Sequence, residues 1–71
     1  MKDRRGQVWE VEEHLMMVVG SRATCDGDTE HDLLVLEGPG VWAAGEMNPG
    51  WLELGMMGVP WEETPGRRRV A

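Results

Sequence analysis

Breakers divide this chain so closely that a long helix has almost nowhere to form. Ten glycines and four prolines are spread along 71 residues, and only residues 7–19 and 28–37 run for ten or more without one. A proline inside a helix costs about 3 kcal/mol and a glycine about 1 kcal/mol relative to alanine. The segments between breakers carry strand signals instead. Val8, Trp9 and Val11 are interleaved with glutamate, whereas "HLMMVVG" (14–20) and "LLVLE" (33–37) are short continuous apolar runs. Both patterns suit strands buried on one or both faces. Between them "SRATCDGDTEHD" (21–32) reads as a long solvated connection centred on Asp26-Gly27-Asp28.

The second half repeats a local device. Gly38-Pro39-Gly40 precedes Val41-Trp42, Asn48-Pro49-Gly50 precedes Trp51, Gly58-Val59-Pro60 precedes Trp61, and Thr64-Pro65-Gly66 precedes Arg67–Arg69. Proline presets the first central position of a tight turn and glycine accepts the positive φ of the second. Corners at such regular spacing predict an all-β fold, a small SH3-like barrel of five or six short antiparallel strands. An open β-meander or an OB-like barrel is the alternative. One domain, residues 1–71, is expected. For the tail, Trp61–Glu63 can pair with Arg67–Val70 across the last turn. Otherwise residues 1–5 and 67–71 remain flexible basic ends.

A domain of this length buries only about 60% of the surface of its extended chain, so most valines, leucines and tryptophans belong in the core. Cys25 is the single cysteine, which excludes an intrachain disulfide and points to a reducing compartment. Glu10, Glu12 and Glu13 interrupt any apolar leader, and no apolar run reaches membrane-spanning length; a cytoplasmic location is expected. The net charge is −6. Residues 6–66 hold twelve acidic residues against one base, Arg22, for a net of −11, while Lys2, Arg4, Arg5 and Arg67–Arg69 make the ends basic.

Arg4, Arg5, Gly6, Val8 and Trp9, followed by "LMMVVGSR" (15–22), resemble the first hairpin of PemK-type toxins, SH3-like-barrel endoribonucleases of toxin–antitoxin systems. The overall plan is also similar to small SH3-like barrel proteins of phages and prophages. The toxin resemblance covers residues 4–22. It implies an arginine, commonly followed by proline, ahead of the second strand and a serine or threonine further on. Glu12-Glu13-His14-Leu15 stands there instead, and like-sign repulsion opposes a phosphate. His14, with Ser21 or Thr24, is the remaining acid–base candidate. An enzyme is therefore not expected, and a PemK-like endoribonuclease is the third-ranked reading.

Cys25, Asp26, Asp28, Glu30, His31 and Asp32 crowd into eight residues. The glycine and the distal glutamate of a calcium loop are out of place, and one Cys/His pair is two ligands short of structural zinc. No metal and no cofactor is expected. Acidic neighbours disfavour a Cys25 thiolate. The tryptophans after the corners, Trp42, Trp51 and Trp61, with Met47, Met56 and Met57, have the composition of an adaptable partner-binding surface. They equally suit a core that lacks Phe and Tyr. Arg4, Arg5, Arg67, Arg68 and Arg69 are basic-patch candidates if the ends meet. The leading functional expectation is a non-enzymatic binding module, a phage or prophage accessory protein acting on a host or virion protein in the host cytoplasm. A nucleic-acid mimic or nucleic-acid-binding barrel ranks second. No membrane partner is expected, and self-association is left open.

Overall fold

A computed structural model describes residues 2–55 and 58–71. Five strands form one antiparallel sheet: β1 (Val8–Val11), β2 (His14–Ala23), β3 (Thr29–Glu37), β4 (Met47–Leu52) and β5 (Arg67–Arg69), in the order β4-β3-β2-β1-β5. A one-turn 3₁₀ helix, Trp61–Glu63, precedes β5, and the described residues contain no α-helix. The fold is therefore all-β, as the breakers predict.

Strict alternation builds the core. Trp9 and Val11 of β1, Met16 and Val18 of β2, and Leu33 and Val35 of β3 all face inward, and Trp61 closes over them. Trp9 and Trp61 meet edge to face at 5.8 Å. Trp42 and Trp51 pack against this cluster from the side and stay half-buried.

Three expectations need correction. The polar stretch 21–32 is mostly strand: Gly20↔Asp32, Ser21↔His31, Arg22↔Glu30 and Ala23↔Thr29 continue the β2–β3 ladder, leaving only residues 24–28 as the turn. Asn48-Pro49-Gly50 is not a corner but part of β4. Leu33 pairs with Asn48 and His31 with Trp51, so two residues, Pro49 and Gly50, oppose Asp32 alone. That is a bulge, and β4 lies at the sheet edge, where a missing N–H is tolerated. Third, Trp61–Glu63 does not pair with the arginines. Trp61 sinks into the core in a 3₁₀ turn, and Arg67–Arg69 pair with Val11, Glu10 and Trp9 of β1. The Thr64-Pro65-Gly66 corner does form: the Arg67 N–H donates to the Thr64 carbonyl, with Gly66 at φ +85.

Both ends are tied in. The Lys2 N–H donates to Thr29 Oγ1 and the Gly6 N–H to the Val18 carbonyl. At the other end the Val8 N–H donates to the Ala71 carbonyl.

Candidate functional site

Inward-facing polar residues make two contrasting clusters. The first surrounds Arg4, which is buried at 2% exposure. Its Nε donates to Glu53 Oε1 and its Nη2 to Glu53 Oε2, both at 2.7 Å. The same Nη2 reaches Glu62 at 2.8 Å, and Nη1 reaches Gln7 Oε1 at 3.2 Å. Gln7 Oε1 also accepts from Trp9 Nε1. His31, fully buried, stands 2.7 Å from Glu53 Oε1 through Nε2 and 2.7 Å from Ser21 Oγ through Nδ1. A carboxylate only accepts, so Nε2 carries the proton in neutral His31 and Nδ1 accepts the Ser21 hydroxyl. Ser21 Oγ in turn accepts the Arg4 N–H. Burial pushes the Glu53 carboxyl up, but the hydrogen bonds from Arg4 and then His31 outweigh it and hold the group below its ordinary range.

Ser21, His31 and Glu53 thus follow the hydroxyl–imidazole–carboxylate order of an acyl-transfer triad. Their chemistry here is different. The carboxylate is clamped bidentately by Arg4, the imidazole has no exposed surface, and the hydroxyl is held by a backbone donor. Every one of these groups is spent on its neighbours, so the cluster ties the chain before β1 to β3 and to the residue after β4.

The second cluster lies along the open side of the core. Trp42, from the β3–β4 connection, meets Trp51 of β4 edge to face at 5.7 Å, and Trp51 meets Trp61 at 6.4 Å. His14 seats Trp42. Its ring lies 4.7 Å from the indole, its Nε2 accepts the Trp42 N–H at 3.4 Å, and its Nδ1 stands 3.0 Å from the Glu12 carbonyl. Gly38 is required beside it, because a Cβ there would fall 2.2 Å from His14 Cδ2. Arg67 lies over the indoles, 4.2 Å from the Trp61 ring centre and 5.2 Å from that of Trp51. No carboxylate among the described residues pairs with it at ion-pair distance. Burial lowers its pKa, against opposing pulls from Glu12 and Glu53. The buried Trp61 Nε1–H likewise has no acceptor among the described residues.

The sequence candidates therefore scatter. Trp42 and Trp51 share the second cluster. Trp61, fully buried, is core and offers no contact surface. Met47 is exposed but faces the other side of the sheet, opposite Leu34. Met56 and Met57 lie outside the described residues. Among the basic candidates, Arg4 is inside the first cluster, Arg5 pairs with Asp3, Arg68 reaches Glu10, and only Arg69 is exposed without a carboxylate partner. Glu53 and Gln7, which organise the buried cluster, were not among the candidates. A lone glutamate between leucines carries no local sign that a distant arginine needs it.

The acidic turn does not gather ligands. Alternation sends His31 inward and Glu30 and Asp32 outward, where both pair with Arg22. The Asp28 carboxylate accepts the N–H groups of Thr29 and Leu54 beside a cleft of about 390 Å³ lined by Asp26, Gly27, Leu52 and Gly55. No group of three or more His, Cys, Asp or Glu residues placed to hold a metal occurs among the described residues, and no helix there is long and apolar enough to cross a membrane. Comparison with protein-family models, curated proteins and solved structures finds no match.

Proposed function

We propose that this chain is a small non-enzymatic binding module that docks a segment of a host or virion protein across Trp42 and Trp51, with a carboxylate of that segment on Arg67. The reading rests on one observation: a half-buried guanidinium lies over two indoles with no carboxylate partner among the described residues. A partly desolvated charge without a counter-ion is costly, and an incoming carboxylate relieves that cost while forming charge-assisted hydrogen bonds. Half-exposed tryptophans beside an arginine also match the residue types that dominate interface energetics. In outline the module is an SH3-like barrel. The supporting features are a meander whose fifth strand returns to pair with the first, and the Arg4–Glu53 clamp, which draws the chain before β1 to the end of β4.

An array of Asp- and Glu-containing peptides, read by indole fluorescence and anisotropy, tests this. Binding by the wild type should be lost in Trp42→Ala and in Arg67→Gln while both variants keep a cooperative melt. No binder in the array, or binders indifferent to both substitutions, removes the proposal.

A further inference from the structure

The outer edge of β5 carries two arginines on one face, and only Arg67 enters the docking site above. In the order β4-β3-β2-β1-β5, β5 pairs with β1 on one side, and no strand among the described residues pairs with it on the other. Register decides which groups that edge presents. Trp9 stands opposite Arg69, Glu10 opposite Arg68 and Val11 opposite Arg67. The Glu12 N–H donates to the Gly66 carbonyl, and the Val70 N–H to the Val8 carbonyl. Backbone groups alternate along an antiparallel ladder. Residues 66, 68 and 70 therefore turn theirs toward β1, and Arg67 and Arg69 turn theirs away. The Thr64 carbonyl takes the Arg67 N–H. The Arg67 carbonyl and both backbone groups of Arg69 have no backbone partner among the described residues.

The side chains follow the same alternation. Arg67 and Arg69 lie opposite the inward residues Val11 and Trp9 and so share the inner face, about 6.8 Å apart along the strand. Arg68 points to the outer face, where it reaches Glu10. Neither inner-face arginine has a carboxylate partner among the described residues. Arg67 is stacked on Trp61 and Trp51, whereas Arg69 is exposed and commits only its Nε, to the Ala71 carbonyl at 3.3 Å.

One occupant fits both features. The edge offers two carbonyls and one N–H, so its complement must donate as well as accept. A peptide backbone does both, and a phosphodiester chain only accepts. In a strand laid on β5, the side chains opposite Arg67 and Arg69 belong to residues i and i+2 of one segment. Resting on the docking reading above, we propose that the docked segment adds to β5 as a further strand, with carboxylates at alternate residues on Arg67 and Arg69. The recognised class is an extended Asp/Glu-x-Asp/Glu segment. Main-chain hydrogen bonds hold it, and the two carboxylates set its register.

Peptides carrying two Asp residues at i and i+2, or at i and i+4, on a common Ser/Val background test this. The two are equal in charge, but the wider spacing overshoots the second arginine. The i, i+2 peptide should bind about two- to fivefold tighter, the span expected of one exposed ion pair. Arg69→Gln, at an exposed side chain, should keep the wild-type melt and erase that advantage. On binding, the Arg69 amide should gain protection from hydrogen exchange, which side-chain contact alone does not give. Binding that needs Trp42 and Arg67 but ignores spacing, Arg69 and the amide overturns strand addition and leaves the docking reading standing. A single-stranded oligonucleotide that binds with the same dependence on Arg69 also overturns it. No binding by any peptide removes both.

Discussion

The two polar clusters on the inner face are built from the same kinds of residue and end in opposite states. Around Arg4 each donor meets an acceptor: Glu53, Glu62 and Gln7 take up the guanidinium, and His31 and Ser21 complete the chain. Around Arg67 the guanidinium has indoles beneath it, and among the described residues it has no carboxylate partner and the Trp61 N–H nearby has no acceptor. A saturated buried network fixes one structure. An unsaturated one, half open to solvent, is where a ligand's groups can still be used. The contrast is the reason the proposed function places recognition at the second cluster and leaves the first to folding.

The largest expected effect breaks the saturated side. Removing one member of a buried ion pair costs about 3–5 kcal/mol because the other charge is stranded. Arg4→Met should therefore cost most of the domain's stability by chemical denaturation. Arg4→Met combined with Glu53→Leu should recover part of it, because no buried charge is then left alone. Equal losses in single and double variants would show that the pair is not a coupled unit.

The same clamp gives a pH signature. The Glu53 carboxyl is held below its ordinary range in the fold, so the unfolded chain binds its proton first as pH falls. Its stabilisation is complete above the unfolded carboxyl range, near pH 4–5. It is lost as pH drops through the lower folded value. Thermal melts should fall in that acid window, and the Glu53→Gln profile should be flatter there. A wild-type curve no steeper than the variant's would contradict the assignment.

On the unsaturated side the stability effects shrink. Trp42 is half-buried, so Trp42→Ala should cost only about 1–2 kcal/mol, its partial burial plus its edge contact with Trp51. Trp61→Ala, at a fully buried ring, should cost about 3–5 kcal/mol. Paired denaturation curves measure the gap. Near-equal costs would mean that Trp42 is core in all but accessibility.

How far these regions were legible differs in the same way. The all-β class follows from Gly and Pro spacing, and the apolar runs at 14–20 and 33–37 mark two strands, but a continuous run does not say that Met16, Val18, Leu33 and Val35 are the residues that face the core. What hid was the half of β2 and β3 whose inward residues are Ser21, Thr29 and His31. Apolar periodicity cannot mark a strand whose inward side is polar; Ser21 and His31 turn inward because Arg4 and Glu53, far away in sequence, satisfy the network they join, and the Thr29 hydroxyl accepts the Lys2 N–H. Trp61 was misplaced for a related reason. A proline before it and two glutamates after it look like a turn and a strand, and only the space left beneath the sheet draws the ring inward. Arg67 was visible as a basic residue but not as an unpaired one, since pairing is a property of the assembled surface.

The smallest effect concerns the β1–β2 turn, which adjoins the Arg67 cluster. Val11 pairs with His14 across a two-residue loop, and Glu12 and Glu13 both have positive φ, 50 and 71. Such a turn ordinarily takes Asn-Gly, because a side chain with a Cβ pays for the left-handed conformation. Glutamates therefore sit here against local preference, next to the Gly66 carbonyl that accepts the Glu12 N–H and close enough for Glu12 to act on Arg67. Strain held beside the half-buried indoles accords with the binding role proposed for them. Replacing Glu12-Glu13 with Asn-Gly should stabilise the fold by about 1 kcal/mol, raising the melting temperature by roughly 4–8 °C. Removing Glu12 should also strengthen the grip of Arg67 on an acidic peptide, because a competing carboxylate is gone. If the melt rises and peptide affinity falls instead, Glu12 is itself a contact, and the partner presents a basic group beside its acidic one.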